Sequence, residues 1–195
     1  GRMQEVTQFV IEFGKSLNVE TPHDKVGNVL MKKPATKGYE SHPAIIIQSH
    51  LDMVPQKNSD VDHDFTKDPI QTYIDGEWVK AKSTTLGADN GLGCAMMMSL
   101  LEDGMVNHPP IEALFTIDEE VGMDGAFGLE PGFLKGTMML NLDTEEDGDL
   151  CVGCAGGTDV NITFQFKHDK EIDKGDIAFR ISLTGLKGGH SGTQI

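Results

Sequence analysis

His50 and Asp52 stand two residues apart in AIIIQSHLDMV (44–54), a spacing in which an imidazole can bind a metal ion and a carboxylate can hold it in place. The β-branched run Ile45, Ile46, Ile47 predicts a strand covered on both faces, ended by Gln48 and Ser49. His50 then falls at the strand's carboxyl end, the edge of an open α/β sheet where ligands collect. In extended backbone, residues i and i+2 point the same way, so the Asp52 carboxylate can fix the tautomer of His50 and raise its basicity as a ligand. His-x-Asp alone is a weak motif, because a satisfied polar His after an apolar strand looks the same. The remaining carboxylates must decide.

IEALFTIDEE (111–120) predicts a second strand, and it ends in Asp118, Glu119 and Glu120. Adjacent like charges at the end of a buried strand repel one another unless a cation neutralises them. Met138 to Leu142 is a third short apolar run, with Asp143 at its end. TTLGADNGLG (84–93) opens an apolar helix, and Asp89 lies at its mouth. An Asp there is ordinarily an N-cap. The surplus of Gly87, Gly91 and Gly93 exceeds what a cap requires and suggests backbone packed closely against another element. Met96, Met97 and Met98 read as helix core, since they lack the spacing of a ligand cluster.

One His with the carboxylates of Asp89, Glu120 and Asp143 is a hard, oxygen-rich set suited to zinc, cobalt or manganese in a hydrolytic site. It holds too few nitrogens for one zinc alone. Two divalent ions account for the surplus acids, with Asp89 bridging them roughly 3.5 to 4 Å apart, His50 and Asp143 on one and Glu120 on the other. The second ion lacks a ligand in this set. Glu119, beside a ligand but free, is then the general base that takes a proton from a bridging water and hands it to a leaving amine.

The elements that must position these groups follow the same pattern. Met3, Val6, Phe9, Val10, Phe13 and Leu17 form the apolar stripe of a packing helix. Val26 to Lys33 reads as a strand with a Gly-Asn interruption, followed by the polar loop KKPATKGYES. Gln71–Ile74 and Glu77–Ala81 flank Asp75-Gly76, a hairpin signal. The expected fold is α/β, a mixed sheet whose strand ends meet at one edge. Near Gly156 the alternation gives way to the strand-like segments 161–166 and 177–184, which divides the chain into residues 1–156 and 157–195. The second piece is too short for a stable core of its own.

Composition narrows the partners. Length 195 allows one core and part of a second domain, at about 150 residues per domain. Sixteen Lys and Arg against 31 Asp and Glu give a formal charge of −15, which argues against nucleic acid or an anionic membrane. No apolar run approaches the ~20 residues of a spanning helix. The opening GRMQEVTQFVIEF has no apolar signal region, so a cytoplasmic address is expected. Cys94, Cys151 and Cys154 give no disulfide framework, and Cys151-Val-Gly-Cys154 reads as packing and not as a redox pair.

The chain closely resembles the M20 co-catalytic zinc peptidases, and within them the aminoacyl-histidine (Xaa-His) dipeptidases. The likeness rests on SHLDMVPQKN, HDFTKDPIQTYIDGEWVKA, TTLGADNG, DEEVGMDGAFGL, NLDTEE, GCAGG and GLKGGHSG, and it covers nearly the whole chain. It implies a mixed-sheet catalytic domain with the start of an inserted α+β lid. It implies His50, Asp89, Glu120 and Asp143 as zinc ligands, Asp52 as orienter and Glu119 as base. It also implies a cis peptide at Asp89-Asn90. His190, set among glycines, would belong to the lid and stabilise the oxyanion, in many members within the partner subunit's site, which allows a homodimer through the lid. The implied substrate is a small unblocked dipeptide, including those ending in His. An aminoacylase or tripeptidase is the alternative within the superfamily. A non-catalytic metal-binding or assembly module is the alternative outside it, although such a module has no need of Glu119. Family members return from the lid to the catalytic domain, where they supply a last His ligand and groups for the substrate carboxylate. With Ile195 the last residue here, the expectation is a piece of a longer chain, inactive by itself.

Overall fold

The computed structural model describes residues 2–144 and, beyond them, 148–154, 156, 158, 160–165, 167, 174–182, 184 and 185. Helix α1 (Arg2–Ser16) is followed by strands β1 (Val29–Lys33) and β2 (Ile45–His50). Next come the hairpin β3 (Thr72–Asp75) and β4 (Trp78–Ala81), helix α2 (Ala88–Glu102), strand β5 (Ile111–Thr116), the short α3 (Asp124–Phe127) and strand β6 (Met138–Asn141). The main sheet has the order β1-β5-β2-β6. β5, β2 and β6 run parallel, and β1 is antiparallel to β5, so the sheet is mixed as expected.

Alternation along the strands separates two apolar faces. Val29, Met31, Ile47, Ile111, Ala113 and Phe115 form the main core with Val10 of α1 and Cys94, Met97 and Leu101 of α2. Their opposite neighbours Leu30, Ile46 and Leu114 pack against Leu129, Phe133 and Leu134 from the segment after α3. A strand with partners on both faces has no place for alternate polar residues, which explains the near-continuous apolar run of β5. Glu112, the exception, is buried, and its carboxylate accepts the Lys135 and Gly136 backbone N–H groups.

The β3–β4 hairpin forms with Asp75 paired to Trp78, which places the two-residue turn at Gly76-Glu77. Gly76 has φ 62, a conformation that glycine adopts without strain. No helix among the described residues is long and apolar enough to cross a membrane.

The chain divides into two compact units, Gly1–Asp147 and Gly148–Ile195. The described residues of the expected strands at 161–166 and 177–184 are exposed and lie in neither helix nor strand.

Candidate metal centre

The parallel registers bring three strand ends to one edge. His50 pairs with Thr116, so the β2 terminus is level with that of β5, and Asp118, Glu119 and Glu120 follow within four residues. Gln48 pairs with Asn141, so two further residues along each chain bring Asp143 level with His50. Asp89 reaches the same place from the start of α2. It is not an N-cap: Gly87, at φ 78, holds that position, and Asp89 itself has φ −86 and ψ 108 inside the assigned helix. The Asp89-Asn90 peptide is cis, as the resemblance implied.

Gly93 accounts for part of the glycine surplus around Asp89. A Cβ there would run into Asn90 Oδ1 and the Ser49 hydroxyl and come within 3.0 Å of the Leu142 carbonyl, so this glycine lets α2 lie directly on β2. At Gly87 the requirement is the left-handed backbone. Gly91 faces open space, and nothing in its surroundings demands glycine.

His50 is 1% exposed at its side chain, with its two nitrogens in different settings. Nδ1 lies 3.0 Å from the Asp52 carbonyl oxygen and 3.3 Å from Asp52 Oδ1. Both neighbours only accept, so Nδ1 carries a proton. Nε2 faces Asp89 Oδ1 at 3.0 Å and Asp143 Oδ1 at 3.6 Å. It is the nitrogen left to bind an ion. Burial disfavours the charged ring, but the hydrogen bonds and charges of Asp143 and Asp52 outweigh it and raise the His50 pKa to about 11.

The Asp52 carboxylate does more than hold the ring. Its Oδ1 accepts the Glu119 backbone N–H at 3.1 Å and its Oδ2 accepts the Glu120 backbone N–H at 2.9 Å. Burial pushes its pKa up, but His50 and these two amides bring it below the ordinary value. Asp52 is therefore ionised where it is needed.

Glu119 and Glu120 behave in the opposite sense. Burial first, then the neighbouring carboxylates, raise both: Asp143, Asp52 and Asp89 act on Glu119, and Asp89 and Glu119 lead for Glu120, with His50 opposing in each case. Asp143 is lowered, chiefly by its hydrogen bond to His50. Asn90 Nδ2 also donates to Asp143 Oδ1 at 2.8 Å.

Ligand atoms of His50, Asp89 and Glu120 lie within 4.8 Å of one another, and so do those of His50, Glu119 and Asp143. The structure thus brings together every sequence-predicted site residue of the first unit, and the two sets share His50. Distance does not separate Glu119 from Glu120, since both stand within ligand range. The donor set fits divalent cations. An imidazole whose Nε2 faces the acids, with carboxylates that repel one another when ionised, is a hard ligand set that positive charge would relieve. His190 lies outside the described residues.

Beside the acids is a cleft of ≈ 170 Å³ whose lining includes Glu119 and Asp143, the polar Gln48, Thr116 and Asn141, and the apolar Met123, Leu129 and Met139. Cys94, whose thiol donates to the His50 carbonyl at 3.2 Å, is buried beside the site, and burial pushes its pKa up to about 12. It packs as a thiol. Cys151 and Cys154 are both free and exposed, without the burial expected of packing residues.

No protein-family model matches the chain. Over 193 residues it is 50% identical to the cytosol non-specific dipeptidase of Escherichia coli, covering 98% of this chain and 39% of that protein. Nearly the whole chain is thus similar to a part of that dipeptidase. Among solved structures, aminoacylhistidine dipeptidase from Vibrio alginolyticus matches with 54% identity and a TM-score of 0.71, covering 74% of this chain and 29% of that one. The aminopeptidase PepT of Bacillus cereus, at 24% identity and a TM-score of 0.58 over 71% of this chain and 37% of that one, shares the fold. The chain spans well under half the length of each of these proteins.

Three residues of the site region were not singled out in the sequence. Asn90 holds Asp143. Asn28 and Asp24 are buried beneath the loop that carries the acids. Only the Gly-Asn break in the first predicted strand signalled them, and a break ordinarily reads as a turn or bulge.

Proposed function

We propose that this protein is a metallopeptidase that hydrolyses the peptide bond of small unblocked dipeptides, Xaa-His among them, in the cytoplasm. The observation that carries the reading is the convergence of His50, Asp89, Glu119, Glu120 and Asp143 at one sheet edge. The similarity to two dipeptidases, at 50% and 54% identity, supports the substrate class.

In this reading His50, Asp89, Glu120 and Asp143 would hold the divalent ions. Zinc suits the set, with cobalt or manganese as alternatives. Bound there, such ions polarise the scissile carbonyl and lower the pKa of water from about 15.7 towards about 7. Asp52 keeps the His50 proton on Nδ1 and holds the amides of the acidic pair. Glu119, its pKa raised by burial and by its neighbours, accepts a proton from the attacking water at its carboxylate and returns it to the amine nitrogen of the departing residue. Residues 1–156 form the catalytic part. Residues 157–195 begin a lid through which a homodimer forms, and His190 on that lid donates to the developing oxyanion.

The test is turnover of a panel of dipeptides, tripeptides and N-acyl amino acids by the full-length protein supplied with zinc, cobalt or manganese. Cleavage of unblocked dipeptides that a chelator abolishes is the expected result. Preference for tripeptides or N-acyl amino acids would move the protein to another branch of the superfamily. Absence of metal-dependent cleavage would overturn the reading.

A further inference from the structure

The loop from Ile117 to Gly125, which carries Asp118, Glu119 and Glu120, returns on itself. Its neck closes through Gly125 N–H donating to the Ile117 carbonyl at 3.2 Å, and Met123 N–H donates to the Asp118 carbonyl at 2.7 Å. Asp118 and Met123 both have positive φ, 53 and 61, so the loop holds a shape that its own residues do not favour. Asp52 grips the middle of this loop. A second grip lies at the neck.

Asn28, at 0% exposure, sits below that neck. Its Oδ1 accepts the Ile117 N–H at 3.2 Å, and its Nδ2 donates to the Gly125 carbonyl at 2.8 Å. The second Nδ2 hydrogen goes to Asp24 Oδ2 at 2.6 Å. Asp24 is itself pinned, because its Oδ1 accepts the backbone N–H groups of Val26, Gly27 and Asn28 at 3.1, 2.9 and 2.9 Å. A carboxamide presents both a donor and an acceptor, and here Asp24 decides which end faces which partner. Every polar atom of the Asn28 side chain is thereby used. Gly125 leaves no room for error, since a Cβ there would strike the Ile117 backbone and Asn28 Oδ1.

We propose that Asn28, oriented by Asp24, is a positioning residue: its carboxamide ties Ile117 to Gly125 and so aims the Glu119 and Glu120 carboxylates into the site. The inference rests on the reading of those two glutamates given above. Asn28 and Asp24 do not touch the reacting groups, and they act through the loop. Hydrogen-bonded buried polar groups of this kind hold geometry more than they add stability, and a shift of about 1 Å in a catalytic group can cost on the order of 100-fold in rate.

The experiment compares wild type with Asp24→Asn and Asn28→Ala by hydrogen exchange with mass spectrometry, alongside kcat, KM and metal content. Asp24→Asn is isosteric and keeps an oxygen for the three amides, but it sets a donor against Asn28 Nδ2 and forces the carboxamide to turn over. Exchange over 118–123 is expected to quicken at least about tenfold in both variants, while β5 keeps its wild-type protection. With metal saturating, kcat is expected to fall about 10- to 100-fold and KM to stay within about threefold. Unchanged exchange at 118–123 in Asp24→Asn would overturn the proposal. Equal acceleration in loop and sheet would overturn it too, by making the pair a general stabiliser. A wild type that cleaves no dipeptide would refute the functional reading instead, and the exchange results would still decide the tether.

Discussion

Asp52 Oδ1 accepts the Glu119 amide at 3.1 Å and stands 3.3 Å from His50 Nδ1, so one carboxylate oxygen joins the imidazole to the loop that bears the acids. Its partner oxygen takes the Glu120 amide. Replacing either oxygen by an amide nitrogen sets donor against donor. Asp52→Asn is therefore expected to weaken metal binding about 10- to 100-fold, as loss of a ligand's orienting partner does, with turnover reduced alongside. Chelator competition measures the first effect and steady-state kinetics the second.

Glu119 and Glu120 are neighbours with different work in this account. Glu119→Ala is expected to lower kcat by about 100-fold or more while zinc content stays near wild type, the range for loss of a general base. Elemental analysis of the purified variant checks the metal. Zinc lost together with activity would make Glu119 a ligand, which its distance to His50 and Asp143 also permits.

His190→Ala is expected to lower kcat by at least ~100-fold with metal content unchanged, on the scale of removing one oxyanion donor. A near-normal kcat would return His190 to a packing role among its glycines.

Proton release on metal binding follows from the His50 environment. Its pKa in the metal-free protein is raised from 6.5 to about 11, so at neutral pH the ring is charged and Nε2 holds a proton that ligation must displace. Glu120, also raised, keeps its proton further up the acid range. Both effects have the same sign: affinity falls as pH falls. Calorimetry in buffers of different ionisation heat is expected to find about one proton released per protein near neutral pH. Release of none would mean that His50 is neutral before the metal arrives.

The site was legible where strand ends carry the chemistry. Short β-branched or apolar runs ending in His50, in Glu119 and Glu120, and in Asp143 told both the strand and its functional end, because three parallel strands must deliver those ends to one edge. Asp89 was harder. An acid before a helix reads as a cap, and only the nearby glycines argued for close packing, of which Gly93 now supplies the instance. The cis peptide came from the family resemblance, since spacing carries no sign of it. The role of Asn28 was hidden because its partners Ile117 and Gly125 are far along the chain and the Gly-Asn break suggests a turn. The segments expected as strands after Gly156 were read from composition, and their described residues lie in neither helix nor strand.

Anomalous diffraction at the zinc edge, from crystals of the zinc-loaded protein, locates the metal. Two peaks about 3.5 to 4 Å apart are expected, with Asp89 between them, His50 Nε2 and Asp143 on one and Glu120 on the other. A single peak remote from Asp89, or none at this sheet edge, would contradict that arrangement.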